Sequence, residues 1–310
     1  DAFRIEKIVL CGITACPPSA EIHKTALGAE DAVAWEYVSD TLQAVLALKE
    51  AGYETLAVEQ AENSHKLGAF VFEKGKKYPL LVFMHGYTNA LEGDICINYT
   101  GAEFYSKDDY QKTLGGAYVL VPLANEYRGD DGKVHGSWDD SYIPRVYDLI
   151  CDFMKNQAEP NGGISKKVIF GNSLGGTMSI RMPVRYPDFF DIAIPVGADA
   201  IVDENNLEVF EKNNIGLFLA LGKRDEINNY EERIKPLLPR LEKLKKSFIF
   251  TPDWVYNGDH GIASINFGFE MGQHCITNAM HCNLMFDDGT PMEPTLPNGV
   301  LGWLSEVLKD

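Results

Sequence analysis

Lys166-Lys167-Val168-Ile169-Phe170-Gly171-Asn172-Ser173-Leu174-Gly175-Gly176 decides the fold. A short apolar strand runs straight into Gly171-x-Ser173-x-Gly175, and a helix-compatible run follows as far as Arg185. A strand that reverses into a helix within one residue holds its middle residue in a strained backbone conformation, so its neighbours must be small. Glycines at 171 and 175 relieve that crowding, and Gly176 lets the helix pack closely on the sheet. The turn lifts the Ser173 hydroxyl above the sheet edge. It also points the Leu174 amide, at the helix N-terminus, toward any developing oxyanion.

Strand signals flank this turn on both sides. Upstream, 78–84 is apolar throughout and ends in His85-Gly86-Tyr87, and 117–123 is a second strand. Downstream, 192–196 and 215–221 repeat the pattern. Between them, 142–155 carries Ile143, Val146, Tyr147, Ile150 and Phe153 at helical spacing. A second helix is expected over 230–246, interrupted at Pro236 and Pro239, and a last one over 300–308. Strands apolar on both faces and separated by helices predict an α/β fold, a mostly parallel sheet with helices on both sides. Residues 77–310 would form this domain. Residues 1–76 read as an N-terminal extension with a strand at 5–13, a helix over 31–50 stopped by Gly52, and strands near 55–58 and 67–72.

The chemistry follows from what a serine hydroxyl needs. Ser173 is a weak nucleophile until a base takes its proton. Strand 215–221 ends in Gly222-Lys223-Arg224-Asp225, which puts Asp225 where an acid would orient an imidazole. Asp199, after strand 192–196, is the main alternative, and Glu226 a weaker one. The base must lie downstream, at His274, His260 or His281. His274 follows an expected strand at 265–273 and is preferred. His260 follows the stretch 248–256, which Pro252 interrupts, and is the alternative base. His281 lies in a helix-like stretch. The amides of Leu174 and Tyr87 are the expected oxyanion donors, with His85 an orienting residue. Together these parts imply acyl transfer through an acyl-enzyme, with an ester easier to cleave than an amide.

Read together, "YPLLVFMHG", "KKVIFGNSLGG", "LFLALGKRDE" and "FEMGQHC" resemble the α/β-hydrolase superfamily, nearest its feruloyl, acetyl-xylan and polyester-type esterases. The resemblance spans roughly 77–310. It implies an α/β-hydrolase fold, a serine carboxylesterase with Ser173, Asp225 and His274 as triad, no cofactor, and an extracellular or periplasmic location. A serine peptidase of the same fold and a non-catalytic binding protein are the alternatives. Residues 8–67 additionally resemble the early part of a SpoU-type RNA ribose methyltransferase domain, without that family's later catalytic motifs. Substrate contacts are expected from Arg128 and Trp138 in the segment 125–140, and from Trp254. Small acyl or aromatic esters, some carbohydrate-linked, are the expected substrates.

Composition narrows the partners. The 310 residues hold 28 Lys+Arg against 45 Asp+Glu, a net charge of -17, which repels phosphate backbones and argues against nucleic-acid binding. Apolar runs are too short to span a bilayer. The six cysteines form no CxxC pair and no His/Cys cluster has zinc-site spacing, so no metal is expected. Oligomeric state is left open.

Overall fold

The computed structural model describes residues 7–20, 22–23, 33–53, 73, 75–95, 105–200, 204–263 and 272–309. The chain divides into two compact units, Asp1–Ala69 and Phe70–Asp310.

In the first unit, β1 (Lys7–Cys11) pairs in parallel with β2 (Ala34–Val38), and helix α1 follows at Thr41–Glu50. The expected helix over 31–50 is therefore corrected: Ala34–Val38 within it form a strand. Trp35, Tyr37 and Val38 are aromatic or β-branched and favour extended backbone. Asp40 then sets the helix start, its carboxylate accepting from the amides of Leu42 and Gln43. The strands expected near 55–58 and 67–72 lie outside the described residues.

In the second unit, β3 (Tyr78–Met84), helix α2 (Asp108–Leu114) and β4 (Tyr118–Leu120) precede a two-stranded hairpin of β5 (Tyr127–Arg128) and β6 (Val134–His135). Helix α3 (Tyr142–Phe153), β7 (Ile164–Asn172), α4 (Leu174–Arg185), β8 (Ile192–Val196), α5 (Glu204–Asn213), β9 (Gly216–Ala220) and β10 (Ser247–Phe250) follow. Two further helices, α6 (Thr277–His281) and α7 (Gly299–Val307), close the described chain. The main sheet is wholly parallel, ordered β10-β9-β8-β7-β3-β4.

Every residue of β3, β8 and β9 is buried, as a sheet covered on both faces requires. Alternation along β3 splits the core in two. Leu80, Val82 and Met84 pack with Ile143, Val146 and Ile150 of α3 and Met178 and Ile180 of α4. Leu81 and Phe83 pack on the other side with Ala279 and Met280 of α6 and Val300, Trp303 and Leu304 of α7. At about 1.5–3 kcal/mol for each fully buried large apolar side chain, these two layers hold the strand ends in place. This is the expected α/β architecture with helices on both faces.

Two expectations differ in detail. The helix predicted over 230–246 is three short segments, Tyr230–Ile234, Lys235–Leu237 and Leu238–Leu241, because Pro236 and Pro239 each remove a helical N–H. Strand β10 stops at Phe250, two residues before Pro252, so the stretch toward Tyr256 is irregular. The strand expected at 265–273 falls on residues outside those described, except for 272 and 273. Helix α5 had no counterpart in the sequence expectations.

Candidate active site

Strand β7 delivers Ser173 at its C-terminal end, between Asn172 of β7 and Leu174 of α4. Ser173 takes φ 55° and ψ -115°, a left-handed backbone that a side chain rarely adopts. Its amide donates to Val196 O at 2.8 Å, and its carbonyl accepts from the Thr177 amide at 2.9 Å, so both sides of the bend are fixed. A Cβ at Gly171 would lie 2.5 Å from Met84 O. One at Gly176 would lie 2.7 Å from Val196 O. Both glycines are thus required by close backbone approach to β3 and β8.

Two elements distant in sequence meet the serine. The Ser173 hydroxyl lies 3.0 Å from His274 Nε2, and His274 Nδ1 lies 2.9 Å from Asp225 Oδ2 and 3.0 Å from Oδ1. The side chains of His274 and Asp225 are 8% and 0% exposed, so the relay is shielded from water. With Asp225 ionised, Nδ1 carries the proton and Nε2 accepts from the serine. Burial pushes the Asp225 carboxyl up. The His274 hydrogen bond and charge, and the amides of Asn228 and Ile227, outweigh it and hold the group below the ordinary aspartate range.

The acid is gripped by its own turn. Asp225 Oδ1 accepts from the amides of Ile227 and Asn228, each at 2.8 Å. The Asn228 amide group donates to Asp225 Oδ2 at 3.2 Å and to Gly197 O at 3.0 Å, tying the turn after β9 to the end of β8. Glu226, the next residue, accepts the His274 amide at 2.8 Å and the Gln273 amide at 3.1 Å. The contributions of Asn228 and Glu226 were not anticipated. The signal for Asn228 was available: an aspartate followed two and three residues later by free amides is an Asx turn.

The alternatives are engaged elsewhere. Asp199 pairs with Arg233 Nε at 2.7 Å. His260 is exposed, stacks on Phe286 at 3.5 Å and lies 3.1 Å from Asp288 Oδ2. His281 is buried in α6, against the rings of Phe83 and Tyr105.

No protein-family model and no curated protein matches the chain. Solved structures do. A thermostable esterase superposes with TM-score 0.52 at 18% identity, over 67% of this chain and 53% of that one. Est1E from Butyrivibrio proteoclasticus with ferulic acid bound gives TM-score 0.39 at 15% identity, over 58% and 83% of the two chains. Siderophore hydrolase EstA from Aspergillus nidulans gives 0.39 at 15%, over 57% and 76%. The chain thus spans about half of the first of these.

The fold is that of the α/β hydrolases. Within that sheet, Ser173, His274 and Asp225 converge at the C-terminal ends of the parallel strands, where open α/β sheets bind ligands. No family model and no curated protein matches the methyltransferase resemblance of residues 8–67.

The residues expected to contact substrate are placed differently from one another. Trp138, expected to contact substrate, is buried. It is 5% exposed, packs in the core and donates its indole N–H to His85 O at 2.9 Å. A large ring next to β3 gains more from burial and one satisfied donor than from exposure. Arg128 is exposed and donates to Gly132 O within the β5–β6 hairpin, at 2.9 Å. Trp254 is 38% exposed, and the Arg224 guanidinium covers one of its faces at 4.1 Å. Tyr87 exposes 51% of its surface. Among the described residues, neither the Tyr87 nor the Leu174 amide has a hydrogen-bond acceptor. No group of three His, Cys, Asp or Glu side chains among them has the spacing to hold a metal. None of their helices is long and apolar enough to cross a membrane.

Proposed function

We propose that the chain is a serine carboxylesterase whose catalytic domain is 77–310, with 1–76 an N-terminal extension. The observation that carries this is the relay Ser173 Oγ to His274 Nε2 at 3.0 Å and His274 Nδ1 to Asp225 Oδ2 at 2.9 Å. Ser173 attacks the ester carbonyl while His274 takes its proton. Asp225 holds the ring in the tautomer that leaves Nε2 free, and stabilises the imidazolium that forms. The amides of Leu174 and Tyr87 receive the negative charge on the carbonyl oxygen. His274 then protonates the departing alcohol, and water, activated by the same imidazole, clears the acyl-enzyme.

The Tyr87 ring, exposed beside the amide that would bind the carbonyl oxygen, suits a small or flat aromatic acyl group. Acetyl and feruloyl esters, free or carbohydrate-linked, are the proposed class, and an extracellular or periplasmic setting fits such substrates.

The test combines labelling with paired variants. A serine-directed fluorophosphonate should label wild-type protein at Ser173 and leave Ser173→Ala unlabelled. On a generic aryl ester, His274→Ala should lose nearly all activity and His260→Ala should keep it. Equal activity of folded His274→Ala and wild type would overturn the proposal.

A further inference from the structure

The imidazole of His85, at the end of β3, is fully buried and both its nitrogens are committed. Nε2 lies 3.0 Å from the Ala124 backbone nitrogen, and Nδ1 lies 2.7 Å from Gly86 O. A backbone N–H can only donate, so Nε2 must be the unprotonated acceptor. Nδ1 therefore carries the proton and donates it to the Gly86 carbonyl. Burial also pushes the His85 imidazolium down, against smaller upward pulls from Gly86 O and Glu126. One side of the ring packs against Trp138, with centroids 4.7 Å apart and the planes tilted by 37°, and the Trp138 N–H holds the His85 carbonyl.

Gly86 C=O and Tyr87 N–H belong to one planar peptide unit, and in a trans peptide they point in opposite directions. Fixing the carbonyl fixes the amide. The loop needs such a constraint, because Thr88, a β-branched residue, sits at φ 68°. Among the described residues, the Gly86 carbonyl has one other donor, the Asn89 amide at a long 3.4 Å. On its other side Gly86 abuts the elbow: a Cβ there would lie 3.1 Å from Asn172 Nδ2, in the residue before Ser173.

We propose that His85 is the positioning residue of the second oxyanion donor: as the Nδ1–H tautomer it locks the Gly86–Tyr87 peptide so that the Tyr87 amide faces the reacting carbonyl oxygen. This rests on the esterase reading above and adds to it a division of labour within one ring. Nδ1–H sets the donor, while Nε2 ties the loop at Ala124 to the end of β3.

The two nitrogens separate by substitution. Asparagine places its amide nitrogen where Nδ1 stands, and glutamine places its terminal amide where Nε2 stands. With an aryl acetate, His85→Gln should lower kcat about a hundredfold with KM within twofold, as expected when one oxyanion donor is lost. Affinity for a trifluoromethyl ketone, which forms a tetrahedral oxyanion adduct, should fall in parallel. His85→Asn should recover kcat to within about tenfold of wild type. Asparagine no better than glutamine, at equal melting temperature, would overturn the assignment. A fall confined to KM would do the same. Nitrogen-15 NMR of the wild-type ring gives a check that needs no variant: protonated Nδ1 and bare Nε2 support the lock, and the opposite tautomer overturns it. Absence of fluorophosphonate labelling in wild type would remove the esterase reading itself, whereas labelled, active wild type with an unaffected His85→Gln would remove only the role of His85.

Discussion

Glu226 Oε2 accepts the backbone N–H of His274 at 2.8 Å, while Asp225, the residue before it, holds the ring of the same histidine at 2.9 Å. Two consecutive carboxylates after β9 therefore fix both the main chain and the side chain of the proposed base. Gln273 adds a third tie, its side chain accepting from the Val255 amide at 2.9 Å and donating to Ala263 O at 3.2 Å.

Glu226→Gln keeps the shape of that grip but loses the charge and one acceptor for two amides. The expected result is a fall in kcat/KM of about tenfold, equivalent to about 1.4 kcal/mol, with KM little changed. Glu226→Ala should fall further. Steady-state kinetics on an aryl ester decide it, and an unchanged kcat/KM in Glu226→Ala would show that His274 needs no support from this side.

Asp225 links the site to acid stability. Its folded-state pKa lies below the ordinary aspartate value of 3.8, because the hydrogen bonds from His274, Asn228 and Ile227 outweigh burial. A depressed carboxylate stabilises the fold fully above the unfolded value, and that contribution disappears as pH falls through the folded one. Denaturant titrations from about pH 5 to pH 2 should therefore show stability falling less steeply in Asp225→Asn than in wild type. Activity of the same variant at neutral pH should drop on the order of ten-thousandfold, since asparagine favours the wrong imidazole tautomer. Parallel acid slopes for the two proteins would contradict the assigned direction.

Much of this was legible in the sequence because it is local. The strand-turn-helix around Ser173 is encoded by glycines whose absence of side chains can be read directly. Strands such as Tyr78–Met84 and Ile192–Val196 announce themselves as continuous apolar runs. Choosing among His274, His260 and His281 was not local. It depends on which loop returns to the serine, and the decisive groups, Glu226 and Asn228, are ordinary surface-type residues in isolation. Trp138 is a related case: its indole N–H donates to the carbonyl of His85, 53 residues earlier, a contact that no local pattern announces.

The cluster around His260 offers a contrast with the proposed base. Asp288 is pushed down to about 2, first by the Thr290 hydroxyl and amide and then by His260. Both Asp288 and His260 are exposed, with side chains 57% and 55% accessible. NMR titration of Asp288 should show a rise in its midpoint in Thr290→Val, and a smaller rise in His260→Ala. A larger effect from His260 would reverse that ranking of causes.

Gly175 is the position where the elbow tolerates least. A Cβ there would run into the Met84 carbonyl and lie 2.5 Å from His85 O, both backbone atoms of the strand end beside the serine. Neither can yield without moving β3 or opening the turn. The same displacement would carry His85 and the Gly86–Tyr87 peptide away from Ser173. Gly175→Ala should therefore destabilise the fold by about 3 kcal/mol or more, lowering the melting temperature by roughly 6–12 °C. It should also lower the rate of fluorophosphonate labelling at temperatures where the variant remains folded. Calorimetry and labelling kinetics on the same preparation separate the two effects. A variant with wild-type stability and labelling rate would mean that α4 is not held as closely against β3 as these distances require.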